Sequence, residues 1–121
     1  MGEIVSQGLG ISIRLDDHSP EVKEALKNAI ERGLQSIGAT AEGYAKDVIT
    51  EAGRVDTGRM RASVSHMEGD NFTAIGTNVE YAPYHEMGTS RGIKAIHFLR
   101  RAATEHTDEY KQLMKDSLEN A

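Results

Sequence analysis

The regular spacing of apolar residues between Val22 and Ile49 constrains the fold more than any other feature of the sequence. Steps of three and four residues, with charged side chains between them, are typical of one long amphipathic helix. Ser19 and Pro20 supply an N-cap and a first helical residue, because a serine hydroxyl accepts an N–H bond and proline has no N–H to satisfy. The stripe consists of Val22, Leu26, Ala29, Ile30, Leu34, Ile37, Ala41, Tyr44, Ala45, Val48 and Ile49. Such a stripe is buried against other elements, so we expect the rest of the chain to pack on this helix.

Three glycines, Gly33, Gly38 and Gly43, interrupt the predicted helix. Each costs about 1 kcal/mol relative to alanine in a helix interior, so their presence needs a reason. Either the helix kinks there or another backbone approaches closely. We expect close packing, on a sheet or on a neighbouring subunit.

The segments outside this helix predict one short strand and one hairpin. Residues 11–15, ISIRL, alternate apolar and polar side chains. Residues 63–65 and 72–76 alternate likewise around a Glu-Gly-Asp-Asn turn, and residues 78–80 end the second strand. From about Ile96, helical spacing returns and predicts one C-terminal helix. The predicted class is α+β, with a small antiparallel sheet packed against one long helix and a C-terminal helix.

Length and composition limit the function classes. The 121 residues fit a single domain over 1–121, with flexible ends at 1–9 and 117–121. The net charge of −5 argues against a dedicated nucleic-acid or membrane-surface protein, because such proteins carry a basic excess. The absence of cysteine excludes disulfides, thiolate metal sites and a cysteine nucleophile. With no long apolar run and no basic leader, we expect a soluble, unprocessed protein without membrane contact.

The triplet Asp56-Thr57-Gly58 matches the catalytic loop of aspartic proteases, in which two aspartates share a proton. A chain with one copy would have to act as a homodimer. The triplet follows a helical pattern rather than an apolar strand, however, and a basic segment follows where a small residue and an acid are usual. We therefore favour a turn, in which Asp56 and Thr57 accept backbone N–H bonds and Gly58 takes a positive φ.

No other segment predicts catalytic, cofactor-binding or metal-binding residues. His85-Glu86 begins like a zinc-protease helix, but Thr89 stands where a second histidine is needed. Residues 88–92, GTSRG, lack the Gly-Lys-Ser/Thr ending of a phosphate loop. The serines have no Gly-x-Ser-x-Gly setting. We expect no enzyme activity and no cofactor.

Residues 87–104 contain no acidic side chain but carry four basic ones, at Arg91, Lys94, Arg100 and Arg101. The last two fall in the predicted first turn of the C-terminal helix, where positive charge opposes the helix dipole. Two interpretations remain open. The run is a solvated loop with Arg101 paired to Glu105, or it meets the carboxylates of a partner subunit or DNA that passes through a channel.

Three segments in this order, VDTGRMRASV (55–64), IGTNVEYAPYHEMGTS (75–90) and IHFLRRA (96–102), resemble the small neck and tail-component proteins of siphovirus-type phages and prophages. The family's usual blocks are Asp-Thr-Gly-x-Leu-Arg-x-Ser, then Val-Gly-Thr-x-x-x-Tyr-Ala-x-x-x-Glu-x-Gly-Thr, then Pro-Phe-Leu-x-Pro-Ala. The matching residues are Asp56, Thr57, Gly58, Arg61, Ser63, Gly76, Thr77, Tyr81, Ala82, Glu86, Gly88, Thr89, Phe98, Leu99 and Ala102. Met60 replaces the usual leucine, and His97 and Arg101 stand where prolines are common, which bears on how the last helix begins.

The resemblance implies a structural virion protein of the head-tail junction, assembled in the host cytoplasm, without enzyme activity or cofactor. It implies a ring of like subunits, six-fold or alternatively twelve-fold. The implied neighbours are head-completion, tail-terminator or tail-tube proteins, with non-specific contact to passing DNA. The alternatives are a small prophage-derived dimeric adaptor and a homodimeric aspartic protease using Asp56.

The tyrosines of the second block predict a corner in the chain. Tyr81 and Tyr84, three residues apart, can share one face of a helical turn that starts at Ala82 and Pro83. Gly88 is expected to end that turn in the left-handed conformation. Helical spacing does not place Glu86 on the same face. The corner would aim residues 91–101 at a neighbouring subunit.

Overall fold

A computed structural model describes residues 2–6, 11–54 and 58–121, with side chains described from residue 16 onward. In these ranges the order of elements is β1 (Gly2–Ser6), β2 (Ile11–Leu15), α1 (Pro20–Glu51), α2 (Arg59–Ser63), β3 (Ser65–Glu68), β4 (Thr73–Gly76), α3 (Ala82–Met87), α4 (Phe98–Thr104) and α5 (Thr107–Glu119). The α+β class is confirmed: an antiparallel hairpin and the C-terminal helices pack on one long helix. No helix among the described residues is long and apolar enough to cross a membrane.

Helix α1 begins as the sequence predicts. The Ser19 hydroxyl accepts the N–H of Val22 at 3.2 Å, and Pro20 is the first helical residue. The predicted stripe is largely buried, with Val22, Ile30 and Tyr44 half-buried. The fully buried positions are Leu26, Ala29, Gly33, Leu34, Ile37, Gly38, Ala41, Ala45, Val48 and Ile49.

Two core clusters lie along this stripe. The first half of α1 packs against α5, in a cluster of Leu34, Ile37, Ala41, Tyr110 and Met114. The second half packs against α2, α4 and the residues around Val79, in a cluster of Ala45, Val48, Ile49, Met60, Val64, Val79, Ala82, Phe98 and Ala102. Tyr44 and Ile75 pack against both clusters, so the core is continuous along the helix.

Close packing explains two of the three helix glycines. A Cβ at Gly33 would lie 2.6 Å from the Met114 sulfur on α5. At Gly38 it would lie 2.5 Å from the Thr73 hydroxyl and 2.6 Å from the His66 ring, both on the β3–β4 hairpin. Packing on a sheet is confirmed for Gly38, whereas Gly33 packs against a helix, and both neighbours belong to the same chain. At Gly43 no described atom of the chain lies within 4 Å of a Cβ, so packing on the sheet is wrong there, and packing on a neighbouring subunit stays a prediction.

His66 fixes the hairpin to α1 through carboxylates. Its Nδ1 lies 3.1 Å from Glu42 on α1, and its Nε2 lies 3.2 Å from Glu68 on its own strand. Desolvation opposes the charged form of Glu42, but bonds from His66 and Lys46 outweigh it and hold the pKa of that carboxyl below its usual value. The ring that blocks a side chain at Gly38 is therefore held in place.

The predicted strands need three corrections. Residues 63 and 64 are not strand, because the short helix α2 ends at Ser63 and Val64 turns into the core at 2% exposure. Residues 78–80 are not strand either, since β4 ends at Gly76 and the Thr77 hydroxyl accepts the N–H of Val79 in a turn. Strand 11–15 is confirmed, but it pairs with the unpredicted β1, so two separate hairpins replace one sheet. The expected flexibility of residues 1–9 and 117–121 stays a prediction.

The predicted single C-terminal helix is also wrong, because it breaks at Glu105 and His106 into α4 and α5. The break turns α5 back along α1. The His106 ring stacks on Tyr44 at 3.5 Å between centroids, and the Tyr110 hydroxyl donates to the carbonyl of Ala102 in the last turn of α4. Further along, the Ser117 hydroxyl donates to the carbonyl of Ala29 at 2.6 Å. Contacts of α5 with α1 and α4 thus replace the backbone hydrogen bonds that are lost where the helix is interrupted.

We predict opposite effects for alanine at two glycines of α1. Both Gly38→Ala and Gly43→Ala gain helix propensity, but only Gly38→Ala forces a methyl group against the held His66 ring and the Thr73 hydroxyl. The free energy of unfolding of Gly38→Ala, measured by urea denaturation, should be about 1–3 kcal/mol lower than that of Gly43→Ala. Equal stability of the two variants would contradict the close approach.

We predict a pH-dependent cost for Tyr110→Phe. Burial, with smaller contributions from Tyr44 and Glu109, raises the pKa of Tyr110 to about 12. Loss of the bond to Ala102 should cost about 1 kcal/mol at pH 8. An unfolded tyrosine ionises near pH 10, so the advantage of the wild type is full below that pH and disappears as the pH rises through 12. Urea unfolding of both proteins at pH 8 and 11 checks this, and an unchanged difference would contradict it.

Candidate functional site

The three motif segments meet at one corner of the fold, beside the last turns of α1. The first segment contributes Met60 and Val64, the second Val79 and Ala82, and the third Phe98 and Ala102 to the same buried cluster. Phe98 and Ala102 have no exposed surface, and Leu99 packs on the cluster from outside. Asp56 and Thr57 lie outside the described residues. The described residues of the motif thus form one structural unit, although up to about 40 residues separate them.

Glu86 is the central polar residue of this corner. Its side chain, 14% exposed on α3, accepts the N–H groups of Leu99 at 2.8 Å and Arg100 at 3.2 Å. These are among the first N–H groups of α4, which have no partner within their own helix. The carboxylate also supplies negative charge at the positive end of the helix and offsets the unfavourable position of Arg100. Glu86 is therefore an N-terminal cap delivered from another helix.

The backbone conformation of residue 97 explains why histidine stands here in place of the proline that is common in the family pattern. It lies immediately before α4 with φ 49° and ψ 48°, in the left-handed region. A proline ring fixes φ near −65°, so proline cannot occupy this conformation. The His97 N–H also donates to the carbonyl of Glu86 at 3.2 Å, and that of Ile96 donates to His85 at 2.9 Å. The chain enters α4 through two backbone bonds to α3.

Two features of the predicted tyrosine corner are corrected. Helix α3 begins at Ala82 as expected, but Tyr81 precedes it and packs half-buried on the core, whereas Tyr84 is 54% exposed. The two rings therefore do not share one buried face, although the Tyr81 backbone is itself right-handed helical, at φ −93° and ψ −4°. Gly88 ends α3 with φ 78° but ψ 171°, which is positive yet not left-handed helical. A Cβ there would lie 3.0 Å from the backbone nitrogen of Ala95, so glycine is needed for space as well.

Other matched residues form turns and caps. Gly58 has the expected positive φ, 76°, and is the N-cap of α2. The Ser63 hydroxyl bonds the carbonyl of Met60 and the hydroxyl of Thr77, which ties α2 to the end of β4. The Thr89 hydroxyl accepts the N–H of Ile93 at 3.1 Å. Arg61 is exposed, and Gly76 is the last residue of β4.

His85 and Glu86 both contact other groups of the chain. His85 Nδ1 lies 3.0 Å from the guanidinium of Arg54, and desolvation followed by the charge of Arg54 lowers the pKa of His85. The Glu86 oxygens are taken by α4. No group of three or more His, Asp or Glu side chains in the described part of the chain could hold a metal ion.

The basic run divides into paired and exposed residues. Arg101 Nε lies 2.8 Å from Glu105, the pair that the sequence predicts, and this contact raises the pKa of Arg101. Arg91, Lys94 and Arg100 are exposed, and none has a carboxylate within salt-bridge distance among residues 16–54 and 58–121. These three side chains remain available to a partner.

No family model, no curated protein and no solved structure matches this chain. The resemblance to phage neck and tail components therefore remains a prediction. Sequence reasoning identified Glu86 as a motif residue but missed its capping role, because its partners are 13 and 14 residues away. His97 was noted only as a missing proline.

We predict that Glu86→Ala lowers the free energy of unfolding by about 1–3 kcal/mol, because two N–H groups lose a charged acceptor. Glu86→Gln should cost less, since its amide oxygen can still accept one bond. Glu80→Ala is the matched control, because that carboxylate is exposed and lies 3.2 Å from the Arg59 guanidinium rather than at the start of a helix. Urea unfolding measures all three variants, and equal costs at Glu80 and Glu86 would contradict the capping role.

Proposed function

We propose that this protein is a structural virion protein of a tailed phage or prophage, a ring subunit that joins head to tail or completes the tail at their junction. The observation that carries the proposal is the convergence of the three motif segments on one buried cluster. Their polar side chains serve caps and turns within the chain, which fits an assembly subunit better than an enzyme.

The proposed partners are further copies of the chain, as a hexamer or alternatively a dodecamer, and the adjoining head-completion, tail-terminator or tail-tube proteins. The proposed location is the head-tail junction of the virion. The exposed Arg91, Lys94 and Arg100 support contact with carboxylates of a neighbour or with the phosphates of passing DNA. Such contact is electrostatic and carries no sequence readout.

Deletion of the gene from the phage or prophage that encodes it tests the proposal directly. We expect filled heads and separate tails by electron microscopy, with joining restored by the gene supplied in trans. Normal particles from the deletion strain would overturn the proposal. A purified protein whose native mass stops at a dimer, together with normal particles, would favour the dimeric adaptor.

We predict that the exposed basic residues act in assembly. Arg91→Glu combined with Arg100→Glu should abolish head-tail joining in the complementation assay while the purified variant remains folded by circular dichroism. Lys23→Glu combined with Lys27→Glu makes the same charge change at exposed positions of α1 and should leave joining intact. Equal joining by both double variants would remove Arg91 and Arg100 from the interface.

A further inference from the structure

Five large hydrophobic side chains are exposed among the residues whose side chains are described, and they fall into two groups with opposite charge around them. One group lies on α3 and the loop after it and is bordered by basic residues. The other lies on the β3–β4 hairpin and is bordered by acidic residues. A concentration of exposed apolar side chains marks an interaction surface more often than scattered ones do.

The loop surface consists of Tyr84, Met87 and Ile93, with Arg91 and Lys94 beside them. Tyr84 and Met87 lie three residues apart on α3 and are 54% and 70% exposed. Ile93, 38% exposed, is brought to the end of α3, because its carbonyl accepts the N–H of Thr89 at 2.9 Å. The surface therefore combines an apolar centre with two positive charges that no described carboxylate pairs with.

The hairpin surface consists of Met67 and Phe72, which are 64% and 51% exposed, with Glu68 and Asp70 in and beside the turn. An open groove separates the turn from α1. Its lining adds Glu31 to these two acids, against one positive charge from Arg32. The lining residues are Asn28, Glu31, Arg32, Gln35, Glu68, Gly69 and Asp70. The register of β3 and β4 places His66, Glu68 and Thr73 toward α1 and Met67 away from it, so the apolar side chains and the net negative groove lie on opposite sides of the turn.

The two surfaces lie toward opposite ends of α1. The groove lies beside Arg32, and the loop surface belongs to the corner that packs on Ile49. At 1.5 Å per residue, these positions are about 25 Å apart along the helix. One chain cannot bring its own two surfaces together. A contact between the loop surface and the hairpin surface therefore requires two copies of the chain.

We propose that the loop surface of one copy docks on the hairpin surface of the next, with residues 89–94 against the acidic groove. Arg91 and Lys94 then meet Glu31, Glu68 and Asp70. A contact between two different patches is heterologous, and it closes into a ring if the rotation between copies allows. The inference deepens the proposed function and rests on it for the closed ring.

The absence of cysteine makes a direct test available. Ser90→Cys and Asn71→Cys introduce thiols at exposed, uncharged positions on the two surfaces. With a short bis-maleimide cross-linker, the double variant should give a ladder of covalent multimers on a denaturing gel. A mixture of the two single variants should stop at the covalent dimer. Ser90→Cys with Gln112→Cys, an exposed position on α5, is the control and should give background only.

Charge reversal tests whether the attraction is the proposed one. Arg91→Glu with Lys94→Glu, added to the double-cysteine variant, should abolish the ladder, and Glu31→Lys with Asp70→Lys added to the same chain should restore it. No ladder, a ladder equal to that of the control, or a double-cysteine product that stops at the dimer overturns the head-to-tail contact.

The cross-linking result is separable from the fate of the proposed function. A ladder from a protein whose gene deletion leaves particles normal keeps the contact and removes the virion role. Particles that fail to join, from a protein that gives no ladder, keep the virion role and overturn this contact.

Discussion

The apolar stripe of helix α1 is the constraint on which the rest of the fold depends. Helices α2, α4 and α5 and strands β3 and β4 all pack on this one helix. Its first half packs against α5 and the hairpin, which come so close at Gly33 and Gly38 that a side chain there would meet them. Its second half takes the corner that the motif segments build. Small residues bring the neighbours close, and the larger apolar residues supply the burial that keeps them there.

The features of the fold that were predicted correctly from the sequence are local or periodic. The N-cap at Ser19, the buried stripe and the hairpin turn each depend on residues a few positions apart, so their patterns are visible in the sequence. The α+β class follows from the order of such segments. Helix α2 has only five residues, too few for a period to distinguish it from the strand after it.

The misses depend on contacts between residues far apart in the chain. The break between α4 and α5 has no glycine or proline to announce it, and the contacts around it come from Tyr44 stacking on His106 and from Tyr110 capping α4. For the candidate site, the sequence identified the members but not their roles. Glu86 is part of a recognisable motif, yet only the fold brings its carboxylate to the start of another helix.

The two backbone bonds from Ile96 to His85 and from His97 to Glu86 close the intervening residues into a loop with fixed ends. Helix α4 is held by these bonds and by the Glu86 carboxylate, none of which involves residues 89–94. Lengthening such a loop costs little, about 0.6 kcal/mol for each doubling of its length. We therefore expect residues 89–94 to tolerate changes in length, charge and shape while the fold of the domain is kept.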